Sequence, residues 1–460
     1  VLFAQYYIEC LSQASYLVGD PAAGEAVVVD PRRDVAEYLA DARAAGVRIV
    51  GIINTHFHAD FVSGHLELAE ATGAWIGYGE AAAVEFPVRH LRDGERLTLG
   101  DVVLEIMATP GHTPESISVV VWEHAGDEIP YGVLTGDALF IGDVGRPDLL
   151  ASLGASAEQL GAQLHDSIQH RLMSLPDPVR VFPAHGAGSA CGKNLSTERS
   201  STIGEQRRDN YACRPMSEPE FVALVSADQP AAPPYFHHDA VLNRHNREQR
   251  RLDATIAPLD DAAIAAALAT GAVVLDARPP AEFAAGHLVG ALNVGADGRL
   301  AETAGMVLDA EDRIVVMAPA GLEQEVALRL ARIGFDRVVG YVPAPEAWLG
   351  DRPEGETERS SRLTVADLDA AVAGGNLQLV DLRNPGERAA GTISGASEIP
   401  LAELSRRGDE LDLAAPIVVY CAGGWRSSAG ASLLRRRGAR DVSDLLGGYE
   451  AWAGSHGPTV

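Results

Sequence analysis

The sequence predicts a multidomain protein of the α/β class, on three observations. Short β-branched runs alternate with Ala/Glu-rich helical stretches along most of the chain. Its second half carries an internal near-repeat. Its 460 residues exceed what one core commonly holds, at roughly 100–200 residues per domain. The composition, 47% hydrophobic and 22% charged with 47 Gly and 26 Pro, is that of ordinary globular domains able to bury sizeable cores. Against 64 Asp and Glu stand 37 Lys and Arg, a net charge of −27 that repels phosphate backbones and anionic headgroups. Nucleic acid and membrane surfaces are therefore not the expected partners, and an anionic substrate has to be received by a local basic pocket. No apolar run reaches the roughly 18–20 residues of a bilayer span, and the opening VLFAQYYIEC lacks the basic flank and cleavage site of a signal peptide. A soluble cytoplasmic enzyme is the expectation. The cysteines, Cys10, Cys191, Cys213 and Cys421, form no CxxC pair, which argues against a disulfide framework or a zinc knuckle.

In chain order, strands are expected at 26–30 (AVVVD), 48–55 (RIVGIINT), 101–109 (DVVLEIMAT) and 179–184 (VRVFPA), with helices such as VAEYLADARAAG and GHLELAEATG between them. This is an α/β domain with functional loops at strand ends. From about 186 to 255 the chain turns polar and irregular, so a first domain of 1–255 ends in an extension and a linker. The repeat follows. VVLDARPPAEFAAGHLVGALNV (273–294) parallels LQLVDLRNPGERAAGTISGASEIP (377–400), and RIVVMAPAG (313–321) parallels PIVVYCAGG (416–424). Asp276 thus aligns with Asp381, Ala318 with Cys421 and Trp348 with Trp452. Two homologous units, 256–356 and 360–460, each alternate buried strand and helix, the pattern of a parallel sheet covered on both faces.

Asn54-Thr55-His56-Phe57-His58-Ala59-Asp60-Phe61 follows a buried strand, placing alternating imidazole and carboxylate donors on a loop at the strand's C-terminal end, where α/β sheets bind ligands. Further donors stand after other strands: His112 in TPGHT, Asp137 in TGDA and His185 in FPAHG. A lone histidine is usually structural; a set of N and O donors in this order is what a borderline metal requires.

This order resembles the metallo-β-lactamase superfamily, with its HxHxD motif, PGHT histidine, GDA aspartate and PAH histidine, over roughly residues 1–200. The resemblance implies an αββα sandwich. Dinuclear zinc hydrolases of the superfamily, such as glyoxalase II, read HxHxDH; here the last position is Phe61, which cannot ligate metal. A single metal is expected. THFHADFVSGH, TGDALFIGDVGRPDL and PAHGAGSACGK are similar to persulfide dioxygenases of the superfamily. That resemblance implies one Fe(II) per chain on His56, His112 and Asp137, a two-histidine, one-carboxylate face with open positions. His58, Asp60 and His185 would sit beside it, orienting ligands and passing protons, with His58 left open as a ligand. Arg146 in GRPD and Lys193 are candidates for recognising an acidic substrate, Arg146 alternatively pairing with Asp148. Cys191, six positions after His185, is a candidate persulfide carrier or an inert loop thiol.

In the last unit, Val418-Val419-Tyr420 leads into Cys421, the loop Ala422-Gly423-Gly424-Trp425, Arg426 and a helix. Loop amides and the helix N-terminus converge on the sulfur, an arrangement that stabilises a thiolate or persulfide anion, and Arg426 adds fixed positive charge. This segment resembles rhodanese sulfurtransferases, with Asp381-Leu382-Arg383 and Gly391-Thr392-Ile393-Ser394-Gly395-Ala396 for their D-x-R and G-H-I-x-G-A elements; Thr392 departs from the usual His. Four residues separate Cys421 from Arg426, against five in the phosphatases that share this fold, and the tighter loop favours sulfur transfer. The middle copy keeps Asp276, Arg278, Gly286, His287 and Gly290, but Ala318 replaces the nucleophile and Glu323 replaces Arg426, putting a negative charge at the anion site. It looks like an inactive rhodanese homologue.

The order of dioxygenase, silent rhodanese and active rhodanese resembles persulfide dioxygenase–sulfurtransferase fusions of bacterial sulfide detoxification. The implied substrates are a low-molecular-weight thiol persulfide and O2, with sulfite and thiosulfate exchanged at Cys421, and superfamily relatives suggest a homo-oligomer, dimer or tetramer. The alternative is a glyoxalase II-like metal-dependent thioester hydrolase carrying a rhodanese domain.

Overall fold

A computed structural model describes residues 1–149, 156–249, 255–375 and 377–456. The chain forms two compact units, Val1–Gln229 with Phe236–Asp253, and Pro230–Tyr235 with Ala254–Val460. Pro230–Tyr235 fall in the stretch read as extension and linker, yet they belong to the second unit: Tyr235 is buried there, its ring 6.4 Å from that of Phe335. Among the described residues no helix is long and apolar enough to cross a membrane.

The first unit pairs two six-stranded sheets. One runs Leu2–Ile8, Gln13–Asp20, Glu25–Val29, Arg48–Ile53, Trp75–Gly79, Arg89–Leu91; the other runs Ser201–Thr202, Arg180–Pro183, Gly132–Gly136, Ile117–Trp122, Val102–Ala108, Arg96–Leu99. Side chains alternate across a strand, so one valine-rich segment serves two cores. Val27 and Val29 point inward and pack with Ile53, Leu104 and Val119 between the sheets. Ala26 and Val28 point outward beneath the helices Ala36–Ala44 and His65–Thr72, meeting Tyr38, Leu66 and Leu68. Across the sandwich, Val120, Val133 and Val181 pack against Leu164 of the helix Ala157–Asp166. The layers are therefore αββα, as the superfamily resemblance implies. Each sheet holds a parallel pair, Glu25–Val29 beside Arg48–Ile53 and Gly132–Gly136 beside Arg180–Pro183, and the loops leaving these strands carry Asp30, His56, Asp137 and His185.

The second unit contains two parallel sheets. The four-stranded one runs Leu292–Asn293, Val273–Asp276, Ile314–Met317, Val338–Tyr341; the five-stranded one runs Ser361–Leu363, Val442–Leu445, Ile417–Tyr420, Gln378–Asp381, Ser397–Glu398. The central strands Val273–Asp276, Ile314–Met317 and Ile417–Tyr420 lie fully buried, which is why both repeats carry unbroken apolar runs. The connection between modules folds back on the first of them, Thr357–Glu358 pairing antiparallel with His287–Leu288. In each module the D-x-R arginine is structural: Arg383 grips Asp381 with two nitrogens and donates to Gly391 O, and Arg278 does the same with Asp276 and Gly286 O.

Candidate metal centre and sulfur-transfer loop

Four strand-end loops of the first unit bring His56, His112 and Asp137 together, with His58, Asp60 and His185 alongside; within each trio the ligand atoms lie within 4.8 Å of one another. Asp137 Oδ2 is 3.7 Å from His56 Nε2 and 3.5 Å from His112 Nε2. Its Oδ1 is 3.5 Å from His185 Nε2, which in turn lies 3.4 Å from Asp60 Oδ2. The close approach depends on glycine: a Cβ on Gly145 would fall 1.9 Å from the Asp137 carbonyl and 3.0 Å from His112 Nδ1.

Partners outside the cluster fix each ring. His112 donates from Nδ1 to Arg146 O at 2.9 Å, and His185 from Nδ1 to Ser12 O at 3.3 Å. Thr55 Oγ1 gives its hydrogen to Asp30 Oδ2, so it accepts from His56 Nδ1 at 2.9 Å. His58 donates from Nε2 to Asp30 Oδ1 at 2.9 Å. Each imidazole thus has its proton directed outward and a lone pair inward, the arrangement that makes histidine a metal ligand. The inward atoms His56 Nε2, His58 Nδ1 and His185 Nε2 are buried with no hydrogen-bond partner among the described residues. Buried polar atoms are rarely left so, and a cation would satisfy them. Burial above all holds His56 well below the usual imidazole range, pulls His112 down to about 4 and lowers His185, keeping these ligands neutral. Burial also pushes Asp137 up to about 6, with His185 opposing the rise and Asp60 adding to it. For His58 burial works the other way, but Asp30, then Asp60 and Asp137, raise it. The residues present fit a metal ion.

Ser12 and Asp30, which orient His185 and His58, both take left-handed backbone conformations, φ 51° and 52°. Such strain in non-glycine residues is characteristic of functional sites. Neither was a sequence candidate; a carboxylate closing the buried run AVVVD was the available signal for Asp30. Phe61 is 1% exposed, its ring 4.4 Å from that of His58, where a further histidine would be needed for a second metal.

Two candidates for substrate recognition are otherwise engaged. Arg146 is 4% exposed, pairs through Nε and Nη2 with Asp148 at 2.7 and 2.6 Å, and donates from Nη1 to Ala190 O. Its role here is structural, through that pair and through the carbonyl that receives His112. Lys193 donates to Leu224 O and Ala227 O at 2.7 and 2.8 Å, so its ammonium serves the end of the helix Glu218–Ser226. Cys191 does reach the centre: its sulfur joins Asp137 and His185 in a third trio. Burial first, then Asp60 and Asp137, raise its thiol well above the ordinary value. Among the described residues no disulfide forms.

In the last module Cys421 is 1% exposed at the end of Ile417–Tyr420 and accepts the Gly424 N–H at 3.2 Å, with Ser427 Oγ at 3.9 Å. Ala422, Gly423 and Trp425 complete the turn into the helix Arg426–Arg436. Arg426 keeps its fixed charge beside Cys421, with its guanidinium in a two-pronged pair with Glu387. Burial raises the Glu387 carboxyl, but Arg426 outweighs it and leaves it below the ordinary range. The middle module, with Ala318 at the position of Cys421, shows the converse. The amide of Gly321, counterpart of Gly424, donates to Glu323 Oε2 at 2.9 Å. A built-in carboxylate takes the N–H whose counterpart in the last module donates to the Cys421 sulfur.

Comparisons with known proteins agree with this division. The metallo-beta-lactamase superfamily matches residues 8–185, and the rhodanese-like domain matches twice, at 260–349 and 364–455. A crystal structure titled as a metallo-beta-lactamase from Staphylococcus aureus is 32% identical, covers 74% of this chain and 98% of its own, and superposes with a TM-score of 0.67. The chain belongs to the metallo-β-lactamase superfamily. Its superfamily domain is followed in the same chain by two rhodanese-like domains. Among curated superfamily proteins, the mitochondrial persulfide dioxygenase ETHE1 of Homo sapiens is 29% identical over 204 residues, 44% of this chain and 74% of that protein. The hydroxyacylglutathione hydrolase of Methylococcus capsulatus is 32% identical over 231 residues, 47% of this chain and 83% of the hydrolase.

Proposed function

We propose that the superfamily domain is a persulfide dioxygenase with one ferrous ion held by His56, His112 and Asp137, oxidising a thiol persulfide with O2 to sulfite, and that the last module couples this to sulfur transfer in sulfide detoxification. Phe61 carries the reading. Its phenyl ring against His58 denies a second metal the nitrogen donor that a dinuclear hydrolase uses. Iron bound there would supply the one-electron chemistry that lets O2 react with a sulfur anion. The chain's own residues hold the geometry: Asp30 and Thr55 fix His58 and His56, while Asp60 faces His185 Nε2, where a proton can be taken up or returned. Cys191 places its sulfur beside Asp137 and His185.

At the other site the Cys421 thiolate attacks the outer sulfur of a persulfide, the S–S bond breaks, and the carrier thiolate leaves. The new Cys421 persulfide is received by the Gly424 amide. Sulfite then attacks the outer sulfur, thiosulfate departs, and the Cys421 thiolate is regenerated. Run in reverse, thiosulfate loads Cys421 and sulfite leaves, on the same atoms. Fusion raises the effective concentration of the shared intermediate.

Oxygen uptake by the iron-loaded protein on glutathione persulfide is the direct test. Cys421→Ser is expected to release sulfite in place of thiosulfate, and an unchanged thiosulfate yield overturns the coupling. The likeness to hydroxyacylglutathione hydrolase supports a second reading, thioester hydrolysis, whose signature is two zinc ions per chain with thioester turnover. Elemental analysis for iron against zinc separates the two.

A further inference from the structure

At the C-terminal end of the helix Arg426–Arg436, the far end from Cys421, a cleft of about 310 Å3 opens between the two rhodanese-like modules. Arg435, Arg436 and Arg440 come from the last module, Val289 and Gly290 from the middle one, and Arg359 from the segment that joins them. Four guanidiniums converge against two carboxylates, Glu358 and Asp441, in a chain whose net charge is −27. Glu358 is already turned to His287, 3.4 Å from its Nε2. Arg359 and Arg440 are exposed, and their guanidiniums have no ion-pair or hydrogen-bond partner among the described residues. Arg436 spends Nη1 on Gly290 O at 2.9 Å, and Arg435 spends Nη2 on Val442 O at 2.7 Å. Burial lowers the Arg435 guanidinium below its ordinary value, with Glu358 and Asp444 offsetting part of the effect. Four arginines against two carboxylates leave an excess of positive charge in the cleft, and planar guanidinium forks suit tetrahedral oxyanions.

We propose that this cleft binds a multiply charged oxyanion of the phosphate type, held by Arg359, Arg436 and Arg440 across the junction of the two modules. A site of this kind supplies what the chain's overall charge denies, a local seat for an anion. It also gives the silent module a task, since the cleft exists only where Gly290 and the returning strand meet the active module's helix. The ligand is either free inorganic phosphate or the phosphate group of a larger molecule.

Calorimetric titration of the full chain at low ionic strength, with inorganic phosphate in one arm and adenosine 5′-diphosphate in the other, tests this. Saturable one-site binding is expected, weakened about tenfold or more by Arg359→Ala combined with Arg440→Ala. Both arginines are exposed, so thermal unfolding without anion should stay at the wild-type temperature, and the rise in that temperature on adding phosphate should vanish in the double variant. Cys421→Ser should leave the affinity unchanged, which separates the cleft from the sulfur loop. Equal affinities in the two arms identify free phosphate as sufficient; tighter binding of the diphosphate by about tenfold or more points to a phosphorylated molecule. Absence of saturable binding in both arms, or the same affinity in the double variant as in wild type, overturns the proposal.

Discussion

Asn243 donates from Nδ2 to the carbonyl oxygen of Phe61 at 2.8 Å, across 182 positions of sequence. The same amide donates to His58 O at 2.8 Å, and its Oδ1 accepts the Ser63 N–H at 2.8 Å. One fully buried side chain therefore holds both ends of the turn that presents His58 and Asp60. Asn243→Ala leaves three backbone groups without this partner, and an unsatisfied buried group costs roughly 1–3 kcal/mol. We expect a loss of stability of at least that order in denaturant unfolding, together with weaker metal uptake in a competition titration. Wild-type metal affinity in the variant would show that the turn keeps its shape without Asn243.

The same extension is tied down electrostatically. Arg247 pairs with Glu67 at 2.8 Å and donates to Ser63 O, and Arg33 reaches Glu67 from the other side at 3.0 Å. Burial would raise the Glu67 carboxyl, but Arg247 and then Arg33 hold it below its ordinary value. A carboxyl whose folded value is depressed stabilises fully above its unfolded value of about 4.3, and loses that contribution as pH falls through the lower folded value. Stability should therefore decline below about pH 4 in wild type, and Glu67→Gln should flatten that part of the profile while lowering stability at neutral pH. Chemical unfolding across pH 3–7 checks both; parallel profiles for the two proteins would sink the assignment.

Phe61 makes a prediction of opposite sign. Its ring packs on His58 within reach of the Asp60 and His185 cluster. Phe61→His adds the missing nitrogen, and metal analysis should show uptake rising from one ion per chain towards two, with zinc favoured over iron. An unchanged single equivalent would mean that more than this ring excludes the second ion.

How much of this was legible follows from what a residue type can signal. His56, His112, Asp137 and Cys421 announce themselves because metal ligation and nucleophilic attack need particular side chains at particular strand ends. Ser12 and Arg146 hold His185 and His112 through backbone carbonyls, and a carbonyl leaves no mark on residue identity. Asn243 is legible only as a polar residue in a polar stretch, because its partners lie in a distant loop. For Arg146 both the charge and its alternative partner, Asp148, were visible, and the structure forms that pair; for Lys193 the charge was visible but its partners, the Leu224 and Ala227 carbonyls, were not. The apolar runs made the α/β alternation readable, while the sandwich was implied only by the superfamily resemblance; in the structure Ala26–Val29 faces two cores at once.

The two rhodanese-like loops allow a test of what silenced one of them. Ala318 and Cys421 occupy equivalent strand ends, but in the silent loop the Gly321 amide is committed to Glu323, whereas in the active loop the Gly424 amide faces sulfur and Arg426 is balanced by Glu387. Restoring the thiol alone should not restore transfer, because a persulfide anion on residue 318 would meet a carboxylate on the amide it needs. In a Cys421→Ser background, Ala318→Cys is expected to show no thiosulfate:cyanide sulfur transfer above background. Adding Glu323→Arg frees the Gly321 amide and reverses the local charge, and measurable transfer should return. Removing one like charge next to an anion in a partly buried loop is worth on the order of tenfold to a hundredfold in rate. Full activity in Ala318→Cys alone would show that the missing sulfur, and not the resident carboxylate, is what keeps this module silent.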